Sequence, residues 1–254
     1  MLKKEYEIMY RLEKTYWWYQ SLHELVEWVI KGLNLKSLCI LDAGCGTGAM
    51  SEILSKYGNV ECIDFAPEAI EFCRLRGLDN TVLGDLNEWI GKQNYYDVIV
   101  CLDVLYHRAI INDDEIVRKF YASLKEKGML VLNLPAYDFL NREHDIAVGG
   151  ARRYTKNNVV HTLTNIGFSI SIITYRLPLL FLFLAIRKLT EIPSRHLKYD
   201  AFSGHTDPES DLKPLPSFIN TILLLMTRLE YLLIRQRIFM PFGSSLFVVA
   251  RKQT

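Results

Sequence analysis

Surplus charge is what this chain most clearly lacks: over 254 residues the formal net charge is only +1. A broad nucleic-acid surface needs a cationic excess, so no nucleic-acid partner is expected. The five cysteines (Cys39, Cys45, Cys62, Cys73 and Cys101) contain no C-x-x-C pair. That spacing gives no metal site, and reduced cysteines in a cytoplasmic protein fit it better. No apolar signal core follows the charged, helical start MLKKEYEIMYRLEK, which again leads to the expectation of a cytoplasmic protein. Long uncharged hydrophobic runs are missing too. LPLLFLFLAI (177–186) is too short to cross a bilayer as a helix. FINTILLLMTRLEYLLIRQRI (218–238) carries Arg228, Glu230, Arg235 and Arg237, which argues against a span. Apolar residues are otherwise plentiful, at 50% of the chain with 12% aromatic. That fills the core of one large α/β domain, or of one domain with a sizeable insertion.

The stretch CILDAGCGTGAM (39–50) organises the rest. The run 38–41, LCIL, suits a strand buried on both faces, and a glycine loop and the start of a helix follow it. Such a strand–loop–helix unit is how doubly wound folds build a nucleotide site. A dinucleotide loop prefers G-x-G-x-x-G, but here the third position is Ser51 and the glycines run G-x-G-x-G. Asp42 stands just before the loop, where a carboxylate repels a pyrophosphate and attracts a cation. The D-x-G-x-G-x-G pattern resembles the first motif of the class I S-adenosylmethionine-dependent methyltransferases. That resemblance implies S-adenosylmethionine as cofactor, S-adenosylhomocysteine as product, and cofactor contacts from Asp42, Gly44, Cys45, Gly46 and Gly48.

Residues 1–34 read as amphipathic helices interrupted by Tyr16-Trp17-Trp18-Tyr19. Four adjacent aromatics cannot share one helical face. They could pack on a C-terminal insertion or, with Trp18, cover the cofactor. The surrounding LEKTYWWYQ resembles the L-E-x-x-H-W-W-F segment of a methyltransferase subfamily, with Tyr16 in place of histidine.

The spacing predicts strand two over 60–63, ending at Asp64, about 20 residues past the loop, where an acid can hold ribose hydroxyls. The resemblance makes Asp64 the ribose acid and Phe65 the adenine neighbour; a helix N-cap is the alternative for Asp64. Strand three is expected over 81–83, and the resemblance puts Asp85, with Leu86 beside it, at the adenine; Asp85 could also be a turn residue. Strand four (96–102) ends at Asp103, and DVLYH resembles a recurring D-V-L-E-H stretch with Tyr106 in place of glutamate. Asp103 is a cofactor candidate and His107 a candidate base, though a histidine bonded to nearby backbone reads as well.

A helix over 113–125, strand five over 129–134, a helix over 155–165 and strands over 168–175 and 245–251 complete the pattern. Taken with the resemblance, these give a Rossmann-like, doubly wound seven-stranded sheet of order 3-2-1-4-5-7-6. Residues 1–34 would cover the cofactor site and 35–254 form the domain, with 177–242 as a helical cap inserted between the last two strands. Ile219, Ile222, Leu223, Met226, Leu229 and Leu233 make the apolar stripe of its second helix. The inserted helices could cap the site, form a homodimer, or touch a membrane peripherally through 177–186 and 218–238.

The segment AYDFLNREHDIAVGGARRY (136–154) is longer than a connection requires, and such loops tend to be functional or disordered. It resembles the subfamily pattern P-A-Y-x-x-L-x-x-x-H-D-x-x-x-G-H-x-R-R-Y-T, with Gly150 where histidine would stand. His144, oriented by Asp145, is the first candidate base, with His107 second. Arg152, Arg153 and Tyr154, joined by Tyr106, are candidate acceptor contacts, although the two arginines could instead face solvent. The expected activity is methyl transfer to oxygen or nitrogen of a small-molecule, sugar or lipid-linked acceptor. The alternatives are a non-catalytic S-adenosylmethionine-binding protein and an NAD-dependent oxidoreductase.

Overall fold

A computed structural model describes residues 3–140, 149–190 and 214–253. Two helices come first, α1 (Lys3–Leu12) and α2 (Trp17–Lys31), and then the alternating part begins. It runs β1 (Leu38–Ala43), α3 (Ala49–Leu54), β2 (Gly58–Asp64), α4 (Pro67–Leu75), β3 (Thr81–Leu83), β4 (Tyr96–Leu102), α5 (Asp113–Ser123) and β5 (Leu124–Pro135). After a short 3-10 turn at Asp138–Leu140 come α6 (Lys156–Ile166), β6 (Phe168–Arg176), α7 (Pro178–Thr190), α8 (Ser217–Arg235) and β7 (Ser245–Lys252).

The strands form one seven-stranded sheet of order β3-β2-β1-β4-β5-β7-β6. β1 pairs in parallel with β2 and β4, while β7 runs antiparallel to both β5 and β6, from Phe168↔Lys252 to Arg176↔Ser245. This is the expected order.

Period-two alternation explains why both faces are covered. Leu41, Ile99, Leu130 and Val248 point into one core with Ile116, Phe120 and Leu163 of α5 and α6. Ile40, Val98, Val131 and Phe247 point into the other with Leu22, Leu25, Val26 and Ile30 of α2. All of these strand residues are under 3% exposed, so the sheet is sealed and the carboxyl ends of its strands are left for a ligand.

Two expectations need correction. The fifth helix stops at Ser123 rather than 125, because β5 already begins at Leu124, which pairs with Tyr96 before a register shift. On α8, whose stripe the sequence left without a partner, Ile222, Met226, Leu229 and Leu233 are exposed, Ile219 and Leu223 are half-buried, and Thr227, Glu230 and Ile234 are buried. Polar bonds set this orientation. Asn220 Oδ1 accepts from the Trp17 amide at 2.9 Å, Asn220 Nδ2 donates to the Thr15 carbonyl at 2.9 Å, and Glu230 accepts from the Leu177 amide at 3.0 Å. Nor does charge keep α8 below the composition of a span. Among the described residues it is the one helix long and apolar enough to cross a membrane, with mean hydropathy 1.4 and 22% of that window buried.

Candidate active site

The cleft lies at the carboxyl edge of the sheet, with a volume of about 540 Å³. Its floor is the loop after β1. Gly44 and Gly48 have φ of +79° and +87°, a region costly for other residues. A Cβ on Gly44 would come within 2.2 Å of a Val104 methyl, and one on Gly48 within 2.8 Å of Leu78, so the backbone approaches its neighbours closely. Asp64, at the end of β2, binds this loop directly: Oδ2 accepts from the Gly46 amide and Oδ1 from the Ala66 amide, both at 3.0 Å. Ala66 itself is the N-cap of α4, so Asp64 does not have that role. Asp42 is 3% exposed and accepts from the buried Ser51 hydroxyl at 2.5 Å. Burial pushes its carboxyl up to about 7, against the Ser51 bond, with the Asp64 and Glu13 charges adding to the rise.

Phe65, Asp85 and Leu86 line the same end of the cleft. Asp85 is exposed and also accepts from the Asn87 amide at 2.8 Å, so it is a turn residue as well as a cleft residue. Carboxylates dominate here, and the guanidinium of Arg76, which bonds the Thr47 carbonyl of the loop, is taken by Glu13. That donor set fits a cationic cofactor with ribose hydroxyls and offers little to a pyrophosphate.

The N-terminal helices form the opposite wall. Glu5, Tyr6, Met9 and Glu13 line the cleft from α1 and its C-terminal side, and Tyr16 to Tyr19 with Leu22 and His23 line it from α2. Glu13 accepts from Thr47 of the glycine loop and from Arg76 Nη2 at 2.6 Å, while Arg76 Nε donates to the Thr47 carbonyl at 2.8 Å. Thus α1 is clamped to the loop it covers. The aromatic quartet lines the cleft, and further along α2 the helix packs on α8 through Trp28 and Tyr231 and the Arg228–Glu24 pair.

Past the glycine loop the cleft opens between α2, the ends of β4 and β5, α7 and the start of β7. Asp103, with φ +53°, accepts twice from Asn133 Nδ2 at 2.9 and 3.0 Å. Asn133 Oδ1 accepts from the buried Arg176, which also donates to Ser21 Oγ at 3.1 Å. Burial pushes Asp103 up to about 6, opposed by the Asn133 bond and the Arg176 and Arg153 charges. His23 lines this half and is held down to about 4 by burial and by the Arg176 and Arg76 charges, so it is neutral. Tyr106, Arg153, Leu180, Leu184, Ser244 and Ser245 complete the wall. His23, Glu13 and Arg176 were not singled out from sequence. The one available signal was a histidine beside the aromatic quartet.

His107 also lines the cleft, with its ring 5.5 Å from that of Phe65. Its Nδ1 accepts from the Ala109 amide at 3.0 Å, which puts the proton on Nε2, a buried atom without a partner among the described residues. Burial holds the ring down to about 4. In this state His107 is a donor, and its basic nitrogen is occupied.

Two of the proposed acceptor contacts point elsewhere. Arg152 pairs with Asp113 at 3.0 Å and donates to the Ile110 carbonyl at 2.7 Å. Tyr154 donates its hydroxyl to Asp113 at 2.7 Å and to the Leu105 carbonyl at 3.0 Å. Both belong to a separate cavity of about 250 Å³ between α5 and α6. Arg153 lines both cavities and donates to the Ala136 carbonyl at 3.0 Å. His144 and Asp145 lie outside the described residues.

Residues 41–132 match the family described as "Methyltransferase domain". Over that stretch the chain carries a methyltransferase domain. Over 133 residues it is 31% identical to the ubiquinone biosynthesis O-methyltransferase of Xanthomonas oryzae pv. oryzae, covering 46% of this chain. The chain spans about half the length of that relative, 55%. The chain solved in complex with the Haloferax volcanii Trm112 methyltransferase activator superposes with a TM-score of 0.61 at 13% identity, covering 99% of this chain and 94% of that one. An S-adenosylmethionine-dependent methyltransferase from Mesorhizobium loti gives 0.56 at 15% identity, covering 88% and 96%. At these identities the likeness is one of fold. The methyltransferase domain match itself covers the glycine loop, Asp64, Asp85 and Asp103.

Proposed function

We propose that the protein transfers a methyl group from S-adenosylmethionine to an oxygen or nitrogen of a small-molecule, sugar or lipid-linked acceptor. One observation carries the reading. A single cleft runs from the Asp42–glycine loop–Asp64 end to a second chamber in which Asp103, His23 and Tyr106 sit under a tyrosine–tryptophan wall. A non-catalytic binding protein needs only the first half. The similarity to an O-methyltransferase supports the same reading.

Bound S-adenosylmethionine supplies an activated methyl on a sulfonium. Asp64 would hold the ribose hydroxyls, Phe65 and Leu86 flank the adenine with Asp85 at its amino group, and Asp42 faces the cationic end. The chain's task is then alignment, which can supply several kcal/mol of the barrier reduction, about 7 at the low end of well-oriented cases. Asp103 is the base we assign among the described residues: its carboxyl is pushed up to about 6, where it is ionised at neutral pH yet still basic. His144 with Asp145 is proposed as a second, loop-borne candidate, and Arg153 and Tyr106 as acceptor contacts. Calorimetry with S-adenosylmethionine and with NAD tests the cofactor. A metabolite screen read as S-adenosylhomocysteine release tests the transfer. Tight binding without release for any acceptor would leave the non-catalytic reading in its place.

A further inference from the structure

α8 is inverted relative to an ordinary surface helix. Its inward stripe is Asn220, Leu223, Thr227, Glu230 and Ile234, while the stripe Phe218, Ile222, Leu225, Leu229 and Leu232 is more than half exposed at every position. A soluble helix puts its greasier side inward. Here Asn220 and Glu230, accepting from the Trp17 and Leu177 amides, fix the opposite orientation. The neighbouring α7 repeats the pattern, with Leu179, Phe183 and Ile186 exposed. The two helices meet where Glu230 receives the Leu177 amide, at the first turn of α7.

What covers this face is indicated by charge. The charged side chains on the two helices are Arg187, Lys188, Arg228, Arg235 and Glu230. Glu230 is turned inward and 9% exposed, so the outward charges carried by the two helices themselves are cationic; Arg228 pairs with Glu24 of α2, and Arg187 and Lys188 also have partners. Arg228 and Arg235 follow one edge of the outer stripe, where long side chains can snorkel to a polar layer. A two-fold contact between copies would gather these cations against each other.

We propose that the outer faces of α7 and α8 dock on an anionic lipid bilayer, lying in its interface rather than crossing it. The inner face of α7 gives this docking a use. Leu180 and Leu184 wall the cleft, so one helix separates the reaction chamber from the lipid-facing surface. An acceptor anchored by an apolar tail can then reach Asp103 with its polar head while the tail stays along α7. The docking stands without the methyl-transfer reading; the lipid-tailed acceptor rests on it.

The test is flotation of the full chain with phosphatidylcholine vesicles, with and without about a third phosphatidylglycerol, alongside calorimetry with S-adenosylmethionine. Binding to the anionic vesicles, weakened by salt, is expected. The double variant Ile222→Ser, Leu229→Ser should lower partitioning by about tenfold or more while cofactor affinity stays unchanged. Arg235→Glu should weaken binding to anionic vesicles alone, and it serves if the double variant fails to fold. Failure of the wild-type chain to float, unaltered flotation of both variants, or a dimer in light scattering that the serine variant dissociates would overturn the proposal. Loss of cofactor binding by the wild-type chain with flotation intact would instead remove the methyl-transfer reading and leave the docking.

Discussion

The Ser51 hydroxyl donates to Asp42 at 2.5 Å, with both residues buried. Counted from Gly46, Ser51 stands where a dinucleotide loop would have its third glycine, and the same residue holds the acid before the loop. Without cofactor, burial favours the protonated form of Asp42. Its carboxyl is raised from 3.8 to about 7, so its contribution to stability is present below about pH 4 and lost as pH rises through about 7.

A bound cation reverses that preference, because it favours the ionised carboxylate. S-adenosylmethionine affinity should therefore rise with pH by up to about tenfold per unit below pH 7 and then level off. Asp42→Asn should flatten the profile. Ser51→Ala removes a bond that holds the pKa down, so it should move the bend to higher pH. Calorimetry between pH 5.5 and 8 reads all three, and a flat wild-type profile would remove Asp42 from the cofactor's cationic end.

Asp64 is spoken for twice over by backbone, at Gly46 and at Ala66. Asp64→Ala should thus loosen the glycine loop as well as remove the ribose contact, weakening cofactor binding by roughly 1.5–3 kcal/mol. Asp64→Asn keeps an oxygen acceptor and should lose less. Equal, undiminished affinity in both variants would sink the ribose assignment.

Glu13 and Arg76 form an ion pair with both side chains 5% exposed, and it joins α1 to the glycine loop through Thr47. Removing one partner strands a buried charge. Arg76→Ala should cost about 3–5 kcal/mol in denaturant unfolding. It should also reduce protection of α1 amides in hydrogen exchange. A loss below 1 kcal/mol, with α1 protected as before, would show that the clamp is dispensable.

The sheet was legible because its strands are apolar runs punctuated by glycine, proline and acids. The β6–β7 pairing came from the family resemblance, since in the chain α7 and α8 separate the two strands. The outward stripe of α8 was not legible, since periodicity reveals that a stripe exists but not which side its partner takes. There the decision lay with Asn220 and Glu230, whose partners Trp17 and Leu177 are distant in sequence. Arg152 and Tyr154 were misplaced for a similar reason: their partner, Asp113, looked from sequence like the start of an ordinary helix. The glycine-loop end of the cleft is built at the ends of β1, β2 and β3, which the sequence marks with acids and glycines. The acceptor half is assembled from α2, β4, β5, α7 and β7 and could not be read.

That assembly decides the last prediction. Asp103 is at the end of a central strand, lines the acceptor chamber, and has its carboxylate oriented by Asn133 and Arg176. His107 has its basic nitrogen engaged by Ala109, and His23 is held down to about 4, which makes it a weaker base. Asp103→Asn should therefore depress kcat by about 10²–10⁴-fold while cofactor affinity stays near normal. The carboxyl lies at about 6, so wild-type kcat should fall as pH drops through that value, and the variant should lose this limb. Arg176→Lys, which keeps the charge but not the forked donor, should shift the limb rather than abolish it. Arg153→Ala should act mainly on KM for the acceptor. His144→Ala provides the contrast. If it removes turnover while Asp103→Asn keeps both its rate and its acidic limb, the base belongs to the 141–148 segment, and Asp103 serves only to orient the acceptor.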